Sequence, residues 1–153
     1  MKPLYILVLA SFLPLAATAQ EVLAVTDGTA SELAPINGAE AVLADLLWVK
    51  RPIVVFADSP NDPNFIRQMA FLALEPAALA ERDVVVITDT DPAARSAIRQ
   101  KLRPRGFSLV LMDKDGEAKL RKPLPWDVRE ITRAIDKFPL VRQEALERHP
   151  SGR

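Results

Sequence analysis

Hydrophobic residues along the chain form two kinds of run, and their order predicts the fold. Residues 53–57 and 83–88 are continuous, mostly β-branched runs, which are typical of strands covered on both faces of a sheet. Other segments repeat their apolar residues at the three- and four-residue spacing of an amphipathic helix. The pattern predicts a brief first strand at residues 22–26 and helices at residues 40–49, 63–74 and 93–102.

The pattern changes in the last third of the chain. Residues 107–112 predict another strand, followed by a turn that ends in Gly116, where glycine supplies the positive φ that a hairpin turn needs. Residues 118–121 alternate between apolar and charged side chains, as an outer antiparallel strand does. Helical spacing returns at residues 126–136, and a short last helix is predicted to begin at Pro139.

The order of these elements predicts the fold class. Parallel strands joined by helical crossovers come first, and an antiparallel hairpin and a closing helix follow. This is the order of an α/β fold of the thioredoxin-like sandwich type. A small doubly wound sheet is the alternative, and the late hairpin favours the thioredoxin-like arrangement.

The N-terminus has the composition of a secretory signal peptide. Lys2 precedes an apolar run at residues 4–17, and the run ends in an Ala-Thr-Ala exit. A membrane anchor is the alternative, but Pro14 interrupts the run and a spanning helix needs about 20 apolar residues. We therefore expect residues 1–19 to be removed, and residues 20–153 to form a single exported domain, periplasmic or secreted, with a short C-terminal helical tail.

Charge and composition exclude several classes of function. The chain has 20 basic and 20 acidic residues, so there is no electrostatic reason to bind nucleic acid or an anionic membrane. It has no cysteine, which excludes disulfide exchange and thiol peroxidase chemistry. The single histidine, His149, lies four residues from the end, where a catalytic role is not expected. We expect no cofactor, and no transmembrane segment after signal cleavage.

Carboxylates follow the two buried strands. Asp58 and Asp62 come after the first strand, and Asp89 and Asp91 come after the second. Because parallel strands end at one edge of the sheet, these side chains are expected to converge there, as a site for Ca²⁺ or Mg²⁺ would require. A structural interpretation competes with this one and is favoured. Asp62 and Asp91 each precede a proline, the arrangement of a helix N-cap followed by proline at the first helical position, which contributes about 1 kcal/mol.

Basic residues are expected at the same edge. Arg103 and Arg105 lie just before the strand at residues 107–112, and Arg99 and Lys101 are close in sequence. Such a patch would suit an anion or an acidic partner, although charged loops are usually only solvated. The candidate binding edge predicted from the sequence consists of Asp58, Ser59, Asn61, Asp89, Arg105, Phe107 and Ser108.

The stretch from Gly106 to Glu117 resembles the part of thioredoxin that holds the cis-proline and the following hairpin. In that alignment Ser108 takes the place of the cis-proline, and residues 58–62 take the place of Cys-x-x-Cys. Both hallmarks of the redox site are therefore missing. The resemblance implies a thioredoxin-like fold without its thiol chemistry.

Short motifs along nearly the whole mature chain carry a second resemblance. They are similar to a thioredoxin-like domain of unknown function of the DUDES type, found in small exported bacterial proteins and in secreted sushi-repeat and matrix-associated animal proteins. The resemblance implies the fold but no reaction. The motifs are Trp48-Val49-Lys50-Arg51-Pro52, Val54-Val55-Phe56-Ala57, Gln68, Glu81-Arg82-Asp83, Lys114-Asp115-Gly116, Lys119-Leu120-Arg121, Ile135-Asp136-Lys137-Phe138-Pro139 and Arg142-Gln143-Glu144.

Two functions remain open from the sequence. The first is an exported, non-enzymatic domain that binds an unknown protein or small ligand of the cell envelope by contact. The alternative is a small-ligand-binding or divalent-cation-binding protein, or an enzyme, that uses the carboxylates at the C-terminal edge of the sheet. The absence of cysteine and of a usable histidine favours the first function.

Overall fold

The computed structural model describes residues 33–149. In this part of the chain a five-stranded sheet lies between two layers of helices. The strands are β1 (Ile36–Asn37), β2 (Arg51–Phe56), β3 (Val84–Asp89), β4 (Ser108–Met112) and β5 (Ala118–Lys122).

The order of the strands across the sheet is β1-β3-β2-β4-β5. The strands β1, β3 and β2 are parallel, whereas β4 is antiparallel to both β2 and β5. A hairpin joins β4 to β5, and Gly116 in its turn has a φ of 78°. The predicted α/β sandwich, with parallel strands followed by an antiparallel hairpin and a closing helix, is confirmed.

Six α-helices connect or flank the strands in the described part of the chain. Two of the helices have an aspartate N-cap, and three begin with proline at the first helical position. Local sequence therefore sets most of the positions where helices begin. The helices are α1 (Leu43–Leu46), α2 (Pro63–Leu74), α3 (Pro76–Ala80), α4 (Ala97–Leu102), α5 (Val128–Ile135) and α6 (Pro139–Arg148), and a 3₁₀ turn spans Pro92–Ala94.

Alternate residues of the central strands fill two hydrophobic cores. In β2, Ile53 and Val55 face the larger core with α2, α3 and α5, whereas Val54 and Phe56 face the smaller core with α4 and part of α1. The strand is buried along its whole length because both faces are covered. This burial fixes the position of one edge of the sheet, where β2 and β3 end and β4 begins.

The helix predicted at residues 40–49 is shorter than expected. Only Leu43–Leu46 is helical, and Val42 and Val49 are 56% and 57% exposed. Trp48 has a left-handed φ of 64°, which ends the helical region and turns the chain into β2. Leu43 and Leu46 pack against the smaller core, so the helix predicted from the apolar spacing is present for one turn only.

The helix predicted at residues 93–102 is divided into two pieces. Pro92–Ala94 forms a 3₁₀ turn, and Arg95 then adopts a left-handed φ of 47°. Ser96 caps the new helix by accepting the backbone N–H of Arg99 at 3.1 Å. The chain therefore starts a new helix at the Ser96 N-cap instead of continuing the first helical segment.

Some predicted features lie outside the described residues. They include the strand at residues 22–26 and the signal peptide at residues 1–19. Within residues 33–149, none of the helices has the length and apolar character needed to cross a membrane. The helix at residues 63–74 has the predicted bounds, and its Ile66 is 56% exposed.

Candidate functional site

The candidate site lies where β2 and β3 end and β4 begins. The residue after β2, Ala57, donates its backbone N–H to the carbonyl of Asp89 at 3.0 Å, so the two parallel strands end side by side. Phe56 pairs with Ser108 in the antiparallel ladder, which places the start of β4 at the same position. We call this region the strand edge, and it consists of residues 58–62, Asp89 and residues 103–108.

The loop at residues 58–62 is a compact turn that starts helix α2. The hydroxyl oxygen of Ser59 accepts the backbone N–H of Asn61 at 3.2 Å. Asp62 caps α2 by accepting two backbone N–H groups of the first turn, at 2.7 and 3.2 Å, which confirms the predicted cap. Asp58 and Asn61 are exposed, so their side chains are available for contact.

Sequence reasoning placed Asp89 in the candidate binding edge, and the structure gives its carboxylate a different role. Asp89 is buried, and its Oδ1 accepts two hydrogen bonds from Arg99, at 3.0 and 2.8 Å. The hydroxyl of Ser96 donates to the other carboxylate oxygen. Burial raises the pKa of Asp89, but the hydrogen bonds from Arg99 and Ser96 outweigh it and hold the pKa below its usual value of 3.8. This carboxylate therefore stabilises the fold.

The four aspartates at this edge do not form a cation site. Asp62 caps α2, and Asp91 caps the 3₁₀ turn by accepting the backbone N–H of Ala93 at 2.9 Å. Asp58 and Asp89 lie on either side of Arg99, whose charge already compensates them. Residues 33–149 contain no group of three or more acidic or histidine side chains placed to hold a metal ion. The divalent-cation form of the carboxylate alternative thus has no supporting geometry within residues 33–149.

A cavity of about 370 Å³ opens at the strand edge beside the start of β4. We call it the arginine cavity, because three arginines contribute to its wall and no acidic residue does. Arg105 comes from the predicted binding edge, and Arg121 reaches the cavity from β5 and donates to the carbonyl of Leu102 at 2.7 Å. The lining residues are Arg103, Arg105, Phe107, Ser108, Arg121 and Pro123.

The basic patch predicted from sequence is only partly present. Arg99 is directed inward, where it donates to Asp89 and also to the carbonyl of Ala57 at 2.8 Å. Lys101 donates to the carbonyl of Gly116 at 3.2 Å and lines a different cavity. Arg121 was missed, although the hairpin predicted from the sequence already places the end of β5 beside the start of β4. Its position follows from the antiparallel register of the two strands.

The opposite end of the sheet holds a partly buried ionic network that sequence reasoning also missed. Arg51, 2% exposed, donates to Asp113 at 3.0 Å and to Glu144 at 2.9 Å. Lys114 joins Glu144 to Asp83 at 3.0 and 2.7 Å. We call these residues the Arg51 cluster, and it consists of Arg51, Asp83, Asp113, Lys114 and Glu144.

Two carboxylates of the Arg51 cluster, Glu144 and Asp83, are held in their charged form. Burial raises the pKa of Glu144, but hydrogen bonds from Lys114 and Arg51 outweigh it and lower the pKa below its usual value of 4.5. The pKa of Asp83 is lowered from 3.8, since the hydrogen bond from Lys114 overcomes the effect of burial. Asp113 Oδ2 is buried without a hydrogen-bond partner among the described residues. Through the ion pairs of Glu144 with Arg51 and Lys114, the cluster connects α6 to the sheet.

Gln68 is a buried polar residue with a structural role. Its side-chain amide donates to the carbonyl of Trp126 at 2.9 Å, and its amide oxygen accepts the backbone N–H of Trp126 at the same distance. This pair of bonds fixes the chain just before α5, while Trp126 packs against the larger core. Gln68 is therefore part of the scaffold that holds the strand edge and not of a binding site.

The fold and the strand edge define a thioredoxin-like domain without a thiol. A model of a domain of unknown function, DUF4174, matches residues 42–144, which is more than half of the chain. The chain belongs to the DUF4174 family. No curated protein matches its sequence significantly.

Comparison with solved structures supports the fold. The chain is similar to the reduced 2-Cys peroxiredoxin of Plasmodium vivax, with a TM-score of 0.53 and 14% identity over 67% of this chain and 83% of that chain. It is also similar to thioredoxin peroxidase I of Plasmodium yoelii, with a TM-score of 0.48 and 17% identity over 71% of this chain and 79% of that chain. At such low identity the first of these likenesses shows the fold alone.

Proposed function

We propose that this protein is an exported, non-enzymatic and non-redox domain that binds a partner at the strand edge. The partner is a protein or a small ligand of the cell envelope. Within DUF4174, we assign the chain to the DUDES type on the motifs that resemble it. The function is contact, and the thioredoxin-like sheet serves as its rigid support.

The observation that carries this proposal is the open cavity beside a loop in which two polar side chains, Asp58 and Asn61, are exposed. The arginine cavity measures about 370 Å³, within the size range of small-molecule sites. Asp58 Oδ2 lies 4.0 Å from the position that a Cβ atom on Gly106 would occupy, so the loop and the cavity wall are adjacent. Asp58 and Asn61 are both exposed on this side.

Composition supports the non-redox part of the proposal. The chain contains no cysteine, so the loop at residues 58–62 has no thiol with which to attack a disulfide or a peroxide. Its single histidine, His149, is exposed at the end of α6. Neither residue type is available at the strand edge as a nucleophile or a general base.

Export is proposed from the N-terminal pattern. Lys2, the apolar run at residues 4–17 and the Ala-Thr-Ala exit together fit a cleavable signal. Intact mass measurement of the protein recovered from the envelope fraction is expected to show a chain that begins at Gln20. Recovery of the unprocessed chain from the cytoplasm would contradict export.

Site-specific photocrosslinking tests the contact itself. A photoreactive phenylalanine analogue replaces Asn61 at the strand edge, and a matched variant carries it at Arg142, an exposed position on α6. Both variants are expressed with their N-terminal region and irradiated in intact cells. The Asn61 variant is expected to give a discrete crosslinked species that excess unlabelled protein suppresses.

The control decides how the crosslinks are interpreted. The Arg142 variant is expected to give no such species, since the proposal places the contact at the strand edge. Equal crosslinking from both positions, or none from Asn61, would contradict binding at this edge.

A further inference from the structure

The arginine cavity concentrates positive charge that no carboxylate within residues 33–149 neutralises. Among the described residues, no carboxylate bonds to the guanidinium of Arg103 or Arg105, and no acidic residue lines the cavity. Arg121 uses one N–H group on the carbonyl of Leu102, and no carboxylate pairs with it in this part of the chain. Three like charges around one opening repel one another, and an anion there would relieve the repulsion.

The cavity also offers a neutral hydrogen-bond donor. Ser108 lies at the start of β4, is only 4% exposed and lines the cavity. No hydrogen bond to its hydroxyl is found within residues 33–149. Because this hydroxyl lines the cavity without a partner from the described chain, it can donate a hydrogen bond to a ligand oxygen there.

The remaining wall of the cavity is apolar. Phe107 and Pro123 contribute it, so the site combines cationic donors with a hydrophobic face. Planar guanidinium groups match the oxygens of carboxylates and phosphates in two-point contacts, and they bind these groups better than compact halide ions. An amphipathic oxyanion fits this combination.

We infer that the arginine cavity binds the carboxylate or phosphate group of a ligand, with the ligand's apolar part against Phe107 and Pro123. The inference rests on the proposed function, because it names the chemistry of the ligand at the same edge. The anionic group is contacted by the guanidiniums of Arg103 and Arg105, with Arg121 and Ser108 completing the set of donors.

NMR titration of the isolated, signal-free protein tests the inference. The probes are phenyl phosphate and isophthalate, each an aromatic ring that carries oxyanions, and sodium chloride at matched ionic strength is the control. We expect saturable shifts at the amide signals of Arg105 and Ser108, with a Kd on the order of 1 mM for such small probes. The two probes separate a phosphate from a carboxylate preference.

Probe binding is compared between two double variants that each lose two positive charges. Arg103→Gln/Arg105→Gln removes two cavity guanidiniums, whereas Arg133→Gln/Arg142→Gln removes two exposed arginines that do not line the cavity. The cavity variant is expected to weaken probe binding by about tenfold or more, and the control by less than about twofold. If the cavity double variant folds poorly, the single variant Arg105→Gln decides instead.

The outcomes separate this inference from the proposed function. Absence of saturable binding, or equal losses in the two double variants, overturns the oxyanion site. If crosslinking from Asn61 persists in either case, binding at the strand edge stands and only its assigned chemistry is wrong. If probe binding is confirmed but the Asn61 crosslink is absent, the cavity binds anions and the partner contact is wrong.

Discussion

The two ends of the sheet both carry arginines, but they use them differently. At the end that holds the Arg51 cluster, the guanidinium of Arg51 is buried and bonded to two carboxylates. At the strand edge, Arg99 is bonded in the same way to Asp89, whereas Arg103 and Arg105 have no carboxylate partner within the described chain. The difference separates the charges that the fold pairs with carboxylates from those that it leaves without a carboxylate partner.

Burial explains why the paired arginines are structural. An ion taken out of water must recover its lost hydration through bonds within the protein, and removal of one partner leaves the other charge unsatisfied. Arg51 and Arg99 are in this position, since their partners Asp113 and Asp89 are buried. Arg103 and Arg105 are exposed and remain hydrated without a ligand, so the fold depends on them much less.

The largest effect should follow from breaking the Arg51 cluster. Arg51→Met leaves the carboxylate of Asp113 buried without a cation, and we expect a loss of about 3–5 kcal/mol in the free energy of unfolding. Urea denaturation of the variant and the wild type measures it. Arg133→Met, which removes an exposed arginine from α5, serves as the control and should cost less than about 0.5 kcal/mol.

A second change sharpens this prediction. Adding Asp113→Asn to Arg51→Met removes the unpaired charge, so the double variant should be more stable than Arg51→Met alone. A cost for Arg51→Met close to that of the exposed control would show that the cluster is not structural.

A smaller loss is expected at the strand edge. Arg99→Gln removes the paired hydrogen bonds to Asp89 but leaves the bond from Ser96, and the side chain of Arg99 is 12% exposed. Because some solvent reaches the pair, we expect a loss of about 2–3 kcal/mol, below that of Arg51→Met. If the order of the two losses were reversed in urea denaturation, the comparison between the two ends would be wrong.

The pH dependence of Arg99→Gln should follow from the lowered pKa of Asp89. A carboxyl group with a folded pKa below its unfolded value of 3.8 adds stability above that value, and this contribution is lost as the pH falls through the folded pKa. In Arg99→Gln the part of this contribution that comes from Arg99 is missing, whereas the hydrogen bond from Ser96 remains. The difference in unfolding free energy between wild type and variant should therefore be largest near pH 7 and decrease below about pH 4. A difference that is constant from pH 7 to 3 would exclude this linkage.

The parts of the structure that sequence predicted depend on local signals. The N-cap at Asp62 and the glycine turn at Gly116 are each set by a few adjacent residues, and both are confirmed. The buried runs predicted the central strands, because continuous apolar residues have few alternatives to a covered sheet. Export, the domain boundaries and the DUDES assignment stay predictions.

The parts that sequence missed depend on distant partners. Arg51 bonds to residues 62 and 93 positions away, and no local pattern reveals such a pairing. Arg99 and Arg105 are close neighbours in sequence, yet one is directed to Asp89 and the other lines the cavity. The chain leaves the helix between them at Arg103, where φ is 47°. The short motifs that resemble the DUDES type contain much of the Arg51 cluster, so the resemblance carries information on the fold more than on the ligand.

The smallest predicted change in stability is a gain. At Arg103 we expect one substitution to stabilise the fold and to weaken ligand binding. Arg103 ends α4 with a left-handed φ of 47°, a conformation that glycine adopts without steric cost and that is commonly glycine at this position. Arg103→Gly should therefore raise the free energy of unfolding by about 0.5–1 kcal/mol and weaken the binding of phenyl phosphate.

Arg95, which also has a φ of 47°, does not line the cavity and provides a matched control. Arg95→Gly should give a similar gain in thermal stability and leave probe binding unchanged. Equal losses of binding in the two glycine variants would mean that helix-end geometry, and not the guanidinium of Arg103, controls the cavity.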